Sequence, residues 1–204
     1  MVYFSKRSCR SGVAGMADRW ILETDRLRLR ELTQADLPDL CEILQDPVAM
    51  VAYAHAFSDG EAQAWLNNQR RRYREDGFGL WAVIRKDTGD FVGQAGLTWQ
   101  DTDRTRVVEV GYLLKRAWWH RGYATEAAVG CRRLAFRTLD CAAVYSIIRD
   151  TNEASKRVAR RAGMRPVGRM TKHYYGIDMP HEIFRITREE AAATDRCPVA
   201  ENRP

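Results

Sequence analysis

An Arg-Gly pair stands directly before an alanine-rich helical pattern, in the segment WWHRGYATEAA that covers residues 118–128. The first backbone N–H groups of a helix have no partner within the helix, and the helix dipole favours an anion there. Gly122 permits close approach of a ligand to the backbone, Arg121 adds positive charge, and Thr125 offers a hydroxyl. The segment is therefore a candidate phosphate site; the alternative is a plain helix start in which glycine eases a tight turn.

The elements around this segment are predicted from hydrophobic periodicity. LRLREL at 27–32 alternates as a strand, and two helices follow, the second capped by Ser58 with Glu61 as its capping-box partner. Three strands, a helix over 122–137, a strand, a helix ending at Gly163 and two strands joined by GIDMP complete the order. The helix over 122–137 forms a β-α-β crossover, which predicts a local parallel pair.

Length and composition predict one globular domain. The 204 residues carry a net charge of +6, with 45% hydrophobic and 29% charged residues, and no apolar run is long enough to span a membrane. We expect a single domain over 18–190, between a flexible N-terminal extension at 1–17 and a flexible tail at 191–204. The basic bias fits an anionic ligand or weak attraction to nucleic acid.

The cysteines and histidines do not predict a metal site. The five cysteines are odd in number and form no CxxC pair, and the four histidines show no HExxH spacing. We therefore expect no metal, and reduced thiols in a cytoplasmic protein.

Four motifs, in order, carry a resemblance to a known family. Residues 119–124 match the Q/R-x-x-G-x-G/A signature, with Trp119 at the Q/R position; LETDRLRLREL, Asn152-x-x-Ser155 and Gly163-Met164 are the others. Together they resemble the GCN5-related N-acetyltransferase (GNAT) superfamily, and more closely its branch with the ribosomal-protein N-terminal acetyltransferases of the RimJ/RimL type. The resemblance covers about residues 21–190. It implies an α/β (α+β) fold with a mixed, mostly antiparallel sheet of about seven strands and about four helices.

The resemblance implies acetyl-CoA as cofactor and an enzyme that acetylates a primary amine, on a protein N-terminus or a small molecule. The pyrophosphate would lie on the backbone N–H groups of residues 121–125, and the pantetheine arm would run beside residues 112–114 and bond Asn152. The cofactor-binding residues would be Tyr112, Leu113, Leu114, Trp119, His120, Arg121, Gly122, Tyr123, Ala124, Thr125, Asn152 and Arg157.

The same resemblance assigns the proton transfers. Glu109 lies between apolar residues in VVEVGY, so burial would raise its pKa and suit it to act as base, directly or through water. The alternative is a strand carboxylate paired with Arg104 or Arg106. Ser155 is the candidate acid for the departing thiolate; the alternative is helix capping.

An acceptor pocket is expected between the first two helices and the final hairpin. The candidates by position are Tyr53, His55, Phe57, Tyr174, Tyr175 and Asp178. Packing is the alternative for the aromatic residues, and a turn for Asp178.

Two other functions compete with the acetyltransferase hypothesis. One is a non-catalytic acyl-CoA sensor, which the presence of Glu109, Asn152 and Ser155 disfavours. The other is a basic nucleic-acid-binding module built on QRRRYRED and RVARRAGMR; acidic residues interrupt these runs, so no nucleic-acid partner is expected. A homodimer is expected by analogy with similar domains.

Overall fold

The computed structural model describes residues 20–103 and 105–196. In these residues the chain forms one eight-stranded sheet in the order β1-β2-β3-β4-β5-β6-β8-β7. The strands are Leu22–Glu23 (β1), Leu27–Arg30 (β2), Leu80–Arg85 (β3), Phe91–Asp101 (β4), Arg106–Leu114 (β5), Ala143–Arg149 (β6), Arg165–Tyr174 (β7) and Ile177–Thr187 (β8). The helices are Leu37–Leu44 (α1), Asp59–Glu75 (α2), Tyr123–Thr138 (α3), Glu153–Arg161 (α4) and Arg188–Arg196 (α5).

The sheet is antiparallel except between β5 and β6, which pair in parallel at Glu109 and Tyr145. Helix α3 makes the crossover between these two strands. This confirms the predicted β-α-β unit and the mixed, mostly antiparallel α/β fold. The sheet changes from antiparallel to parallel pairing between β5 and β6, and the candidate site described below lies there.

Successive side chains along a strand point to opposite faces of the sheet. Both faces of this sheet carry buried apolar side chains, and helices cover both. Trp81 and Val83 of β3 join the cluster that packs under α3, whereas Ala82 and Ile84 join the cluster under α1 and α2. Helix α3 buries an apolar stripe that includes Ala127, Ala128, Cys131 and Leu134. This packing fixes where the N-terminus of α3 lies relative to β5.

The start of α2 forms as its sequence predicts. The Ser58 hydroxyl accepts a hydrogen bond from the Glu61 N–H at 3.4 Å, and the Glu61 carboxylate accepts one from the Ser58 N–H at 2.9 Å. This capping box satisfies backbone groups that the first turn leaves unpaired.

The predicted flexible tail is wrong for residues 191–196, which belong to α5. Ala191 is buried, and Asp195 forms ion pairs with Arg132 and Arg133 of α3. These contacts hold a segment whose polar sequence gave no helical pattern. The short strand β1 was also not predicted. Residues 197–204 and the predicted extension at 1–17 lie outside the described residues.

The final hairpin turns earlier than predicted. Its turn is Tyr175-Gly176, where both residues take positive φ angles of 52° and 73°. Only Gly176 of GIDMP belongs to the turn, residues 177–180 belong to β8, and Asp178 is a strand residue paired with His173. Among the described residues, no helix is both long and apolar enough to cross a membrane.

Candidate active site

The candidate site is a cleft between β5 and β6. These strands share only the Glu109–Tyr145 register pair within the described residues, and side chains bridge them nearby. The Ser146 hydroxyl donates to the Val110 carbonyl at 2.9 Å, and the Ile147 N–H donates to the Glu109 carboxylate at 2.9 Å. Beyond this point the strands line a cavity of about 380 Å³, a size typical of ligand pockets.

Glu109 lies in the wall of this cavity. One carboxylate oxygen accepts the Ile147 N–H, and the other accepts a long 3.4 Å hydrogen bond from the Thr98 hydroxyl. Burial raises the pKa of Glu109, while the positive charge of Lys172 and the Ile147 N–H oppose the rise. The carboxylate is thus suited to exchange a proton nearer to neutral pH than a solvated carboxylate.

The alternative role for Glu109, an ion pair with Arg106, does not form. Arg106 lies instead over the Trp99 ring, with Asp76 at 4.0 Å. Arg104 lies outside the described residues. Glu109 has no ion pair among residues 20–103 and 105–196, so its charge is not already neutralised within this part of the chain.

The N-terminus of α4 faces Glu109 across the cavity. Asn152 is the capping residue, since its side-chain oxygen accepts the Ser155 N–H at 3.0 Å. Ser155 is therefore not the cap, and its hydroxyl has no hydrogen-bond partner among the described residues. The Tyr112 hydroxyl donates to the Ser155 carbonyl at 3.0 Å and so fixes this turn against β5. Asn152, Ser155, Tyr112 and Leu113 all line the cavity.

The N-terminus of α3 forms a second ligand-binding feature. Its capping residue is Gly122, with φ of 80° and no side-chain cap. The backbone N–H groups of residues 123–125 donate to no acceptor in the part of the chain that the structure describes. His120 also has a positive φ of 60°, and Arg121 is exposed beside the Trp118 ring. A helix of this length can bind an anion at its N-terminus when the first N–H groups are unpaired and the capping residue is a glycine without a side chain.

Arg26 adds to this terminus and was missed by sequence reasoning. It pairs with Glu126 of the first turn at 2.7 Å and donates to the Arg121 carbonyl at 3.0 Å. Its remaining terminal nitrogen lies 3.2 Å from where a Gly122 Cβ would stand. A chain separation of about a hundred residues hides this contact from any local pattern.

Several predicted cofactor residues have packing roles in this structure. Tyr123 and Leu114 are buried in the core, and the Trp119 indole donates to the Leu114 carbonyl at 2.9 Å. Ala124 and Thr125 are half-buried in the first turn of α3. Arg157 is exposed on α4 and does not line the cavity.

The acceptor side of the cavity contains part of the predicted set. Tyr53, Phe57, Tyr174 and Tyr175 line it, together with Trp65. His55 does not line it; it bonds Glu61 at 2.9 Å and lies against the Tyr175 ring. Asp178 is exposed and bonds His173, so the structure does not bring it to the cavity.

Arg149 and other side chains that line the cavity were not predicted, and three of them bear on its chemistry: Arg72, Lys172 and His181. His181 Nδ1 lies 2.7 Å from the Met179 carbonyl, and burial lowers the pKa of the imidazole. A carbonyl can only accept, so Nδ1 carries the proton and Nε2 of the neutral ring is an acceptor. None of the three has a sequence signal beyond its residue type.

The residues present fit a long ligand with an anionic end and a reactive uncharged end. Unpaired N–H groups with Arg26 and Arg121 suit a pyrophosphate, and the gap between β5 and β6 can admit an extended amide chain. At the far side stand a carboxylate of raised pKa and a free hydroxyl. No cluster of metal-ligating side chains occurs among the residues described.

Comparison with known proteins shows the family of this chain. The acetyltransferase (GNAT) domain model matches residues 26–165. The uncharacterised protein YkkB of Bacillus subtilis is 35% identical over 144 residues, covering 70% of this chain and 84% of that protein. An FsC-acetyl coenzyme A-N(2)-transacetylase of Aspergillus fumigatus is 31% identical over 184 residues, covering 83% of this chain and 77% of its own length.

A solved structure of RimL, a ribosomal-protein alpha-N-acetyltransferase in complex with coenzyme A, has a similar fold. The TM-score is 0.67 at 15% identity, over 85% of this chain and 99% of that one.

Proposed function

Since this chain belongs to the GNAT acetyltransferase family, we propose that it acetylates a primary amine by direct transfer, with Glu109 as base and Ser155 as acid. It is an acetyl-CoA-dependent acetyltransferase. Acetyl-CoA supplies the acetyl group as a thioester. The observation that carries the proposal is the Glu109 carboxylate, held in the cleft with a raised pKa and without an ion pair.

Glu109 takes the proton that the acceptor must lose. An ammonium group cannot attack a carbonyl, so the amine has to be neutral at the moment of reaction. The Ile147 N–H and the Thr98 hydroxyl hold the carboxylate in place, and each oxygen retains a lone pair for the incoming proton. Transfer can be direct or through a water molecule.

Ser155 returns a proton on the opposite wall. Its hydroxyl is free because Asn152 provides the helix cap, and the Tyr112 hydroxyl fixes the turn through the Ser155 carbonyl. The donated proton goes to the thiolate sulfur as the carbon–sulfur bond breaks. Position at the first turn of α4 also favours the developing negative charge on this side of the cleft.

Cofactor binding is assigned to two features already described. The N-terminus of α3, from Arg121 to Thr125, holds the pyrophosphate by backbone N–H groups, with Arg26 beside it. Tyr112, Leu113 and Asn152 line the path of the pantetheine arm. Trp119 and Tyr123 support the loop by packing.

The acceptor enters on the side of Tyr53, Phe57 and Tyr174, which line the cavity. The names of similar proteins support two acceptor classes, a protein N-terminus and a small-molecule amine. The fold similarity to RimL supports the proposed RimJ/RimL-like branch. A cytoplasmic location is proposed as well, supported by free Cys41, Cys131 and Cys141. A homodimer stays a prediction for sedimentation analysis to test.

Calorimetric titration with acetyl-CoA, followed by a thiol-release assay over a panel of primary amines, tests the function. Glu109→Gln should bind acetyl-CoA as the wild type does and lose turnover, whereas Glu31→Gln, at an exposed residue outside the cavity, should keep both. Binding without turnover on any amine would favour the acyl-CoA sensor. Absence of acetyl-CoA binding would contradict the proposal.

A further inference from the structure

Three half-buried cations line the cavity without an ion pair among the described residues. Arg149 donates to the Val51 and Tyr53 carbonyls, and the other two, Arg72 and Lys172, are held by side-chain amides. Arg72 of α2 donates to the Gln69 side-chain oxygen at 3.3 Å, and Lys172 of β7 donates to the Gln100 side-chain oxygen at 3.1 Å. Neither forms an ion pair with any of the described residues. Both donate to neutral amide oxygens, and both act on Glu109 through their charge without contacting it as an ion pair. Each cation can therefore contact a ligand directly.

Some other cations of similar burial are paired, whereas Arg28, Arg185 and Arg188 are half-buried and form no ion pair among the described residues. Lys115 contacts Asp39 at 2.6 Å and Glu42 at 2.9 Å, and Lys156 contacts Glu182 at 2.8 Å. Burying an unpaired charge is costly, and an anion bound in the cavity would reduce that cost for Arg72 and Lys172. Desolvation lowers the pKa of Arg72, which agrees with an unneutralised guanidinium.

Arg72 is positioned by a buried residue. Gln69 is fully buried, and its side-chain oxygen accepts both the Arg72 guanidinium and the Leu80 N–H, the latter at 3.1 Å. The Leu80 backbone therefore fixes Gln69, and Gln69 fixes Arg72. This orients the guanidinium toward the cavity and not toward the solvent-facing side of α2.

Lys172 lies far from the N-terminus of α3. Gln100, which bonds Lys172, is opposite Val107 on β5, whereas α3 follows the other end of the strand after Leu114. At about 3.3 Å per residue, the separation along the strand is roughly 20 Å. Lys172 therefore serves a ligand other than the anion bound at α3, and Glu109 lies between the two places. Arg72 lines the same cavity as Lys172 and Glu109.

We propose that the acceptor amine carries a carboxylate, which Arg72 and Lys172 bind while the amine approaches Glu109. This rests on the proposed function and specifies its substrate class. Glu109 is the only carboxylate among the described residues that line the cavity, and Arg149 adds positive charge there. Such a wall repels polycationic acceptors and attracts an amino acid or an acidic peptide end, whose apolar part would contact Tyr53 and Phe57.

The test compares acceptors in matched pairs by thiol release. One arm uses ω-amino acids of increasing chain length against their amides, and another uses alanyl-aspartate amide against alanyl-asparagine amide. The basicity of the amine differs little within the dipeptide pair and within those ω-amino acid pairs in which several methylene groups separate the amine from the carboxylate. In these pairs the ratio of kcat/KM reports recognition of the carboxylate. We expect the best pair to favour the carboxylate at least about tenfold. The two arms separate a small-molecule acceptor from a peptide.

Variants then assign the preference to residues. Arg72→Gln and Lys172→Met should each reduce the carboxylate-to-amide ratio about threefold, and the double variant should abolish it. Arg70→Gln, an exposed position on the same helix, should retain the ratio. Loss of folding alone would reduce both members of a pair and leave the ratio unchanged.

Equal rates within every pair, or preference for the amide, would overturn the inference. If acetyl-CoA binds and no amine of the panel reacts, binding of the N-acetylated acids and amides is compared by NMR in the presence of coenzyme A. Tighter binding of the acids, lost in the double variant, would support the inference; equal or absent binding would overturn it. Failure to bind acetyl-CoA would instead contradict the proposed function. The NMR comparison would still test whether the cavity recognises the carboxylate.

Discussion

Replacing Gly122 by alanine should weaken acetyl-CoA binding and stability by separable amounts. Gly122 has φ of 80°, a conformation that costs an L-residue about 1–2 kcal/mol. The added Cβ would stand 3.2 Å from a terminal nitrogen of Arg26, which belongs to a flexible, half-exposed side chain and can shift by a few tenths of an ångström. Backbone strain therefore dominates the stability loss, and for a chain of this size it should lower Tm by roughly 2–8 °C.

The binding loss has a different origin. The methyl group would stand at the entrance to the unpaired N–H groups of α3, where an anion must approach the backbone closely. Losing one charge-assisted hydrogen bond costs about 1.5–3 kcal/mol, or roughly tenfold to a hundredfold in Kd. Calorimetric titration with acetyl-CoA measures this loss, and thermal unfolding without ligand measures the strain.

Gly77→Ala is the matched control. Gly77 follows α2 with φ of 79°, and its Cβ would meet no atom within 4 Å, so the strain is nearly the same. Both variants should lose a similar amount of stability, and only Gly122→Ala should lose affinity. Equal affinity of the two variants for acetyl-CoA would refute the assignment of the α3 terminus as the pyrophosphate site.

Three other perturbations test the remaining assignments. Asn152→Ala should lose about 1 kcal/mol in denaturant unfolding because it removes the cap on α4, whereas Ser155→Ala should keep its stability and lose turnover; equal stability losses would contradict these roles. The wild-type kcat/KM should fall as the pH drops through the raised pKa of Glu109. In Glu109→Gln, kcat/KM should be about 10²–10⁴-fold lower and should not show this fall at low pH. A raised carboxyl pKa means that stability is lost as the pH rises through it, so at neutral pH the glutamine variant should unfold at the wild-type Tm or above. Asp195→Ala should lower the free energy of unfolding by roughly 2 kcal/mol, because Arg132, whose side chain is 1% exposed, loses its ion pair with Asp195. An unchanged unfolding midpoint would exclude that contribution.

Local signals in the sequence were enough to predict most of the framework. The Ser58–Glu61 capping box, the apolar stripe of α3 and the glycine before it each depend on residues a few positions apart. These interactions are short-range, so the pattern alone identifies them. Glu109 could be predicted because apolar neighbours on a strand imply burial.

Long-range contacts explain what the sequence did not predict. In QRRRYRED only Arg72 lines the cavity, because Gln69 and the Leu80 N–H turn it inward, while Arg70, Arg71 and Arg74 remain exposed. The sequence pattern predicted a charged helix face, which is correct for Arg70, Arg71 and Arg74 but not for Arg72. Helix α5 likewise depends on Asp195 meeting α3, more than sixty residues earlier in the chain.

The gap between β5 and β6 couples the stability of the fold to its ligand. Val110 offers its carbonyl toward the gap, and by strand alternation so does Tyr112, yet β6 supplies a register partner only at Glu109 in the described residues. Any ligand that forms hydrogen bonds with these backbone groups connects the five strands on one side of the gap to the three strands on the other. Occupancy at a hundredfold excess over Kd would add about 2.7 kcal/mol to the unfolding free energy. The cellular supply of acetyl-CoA would then set how much destabilisation this chain tolerates through mutation.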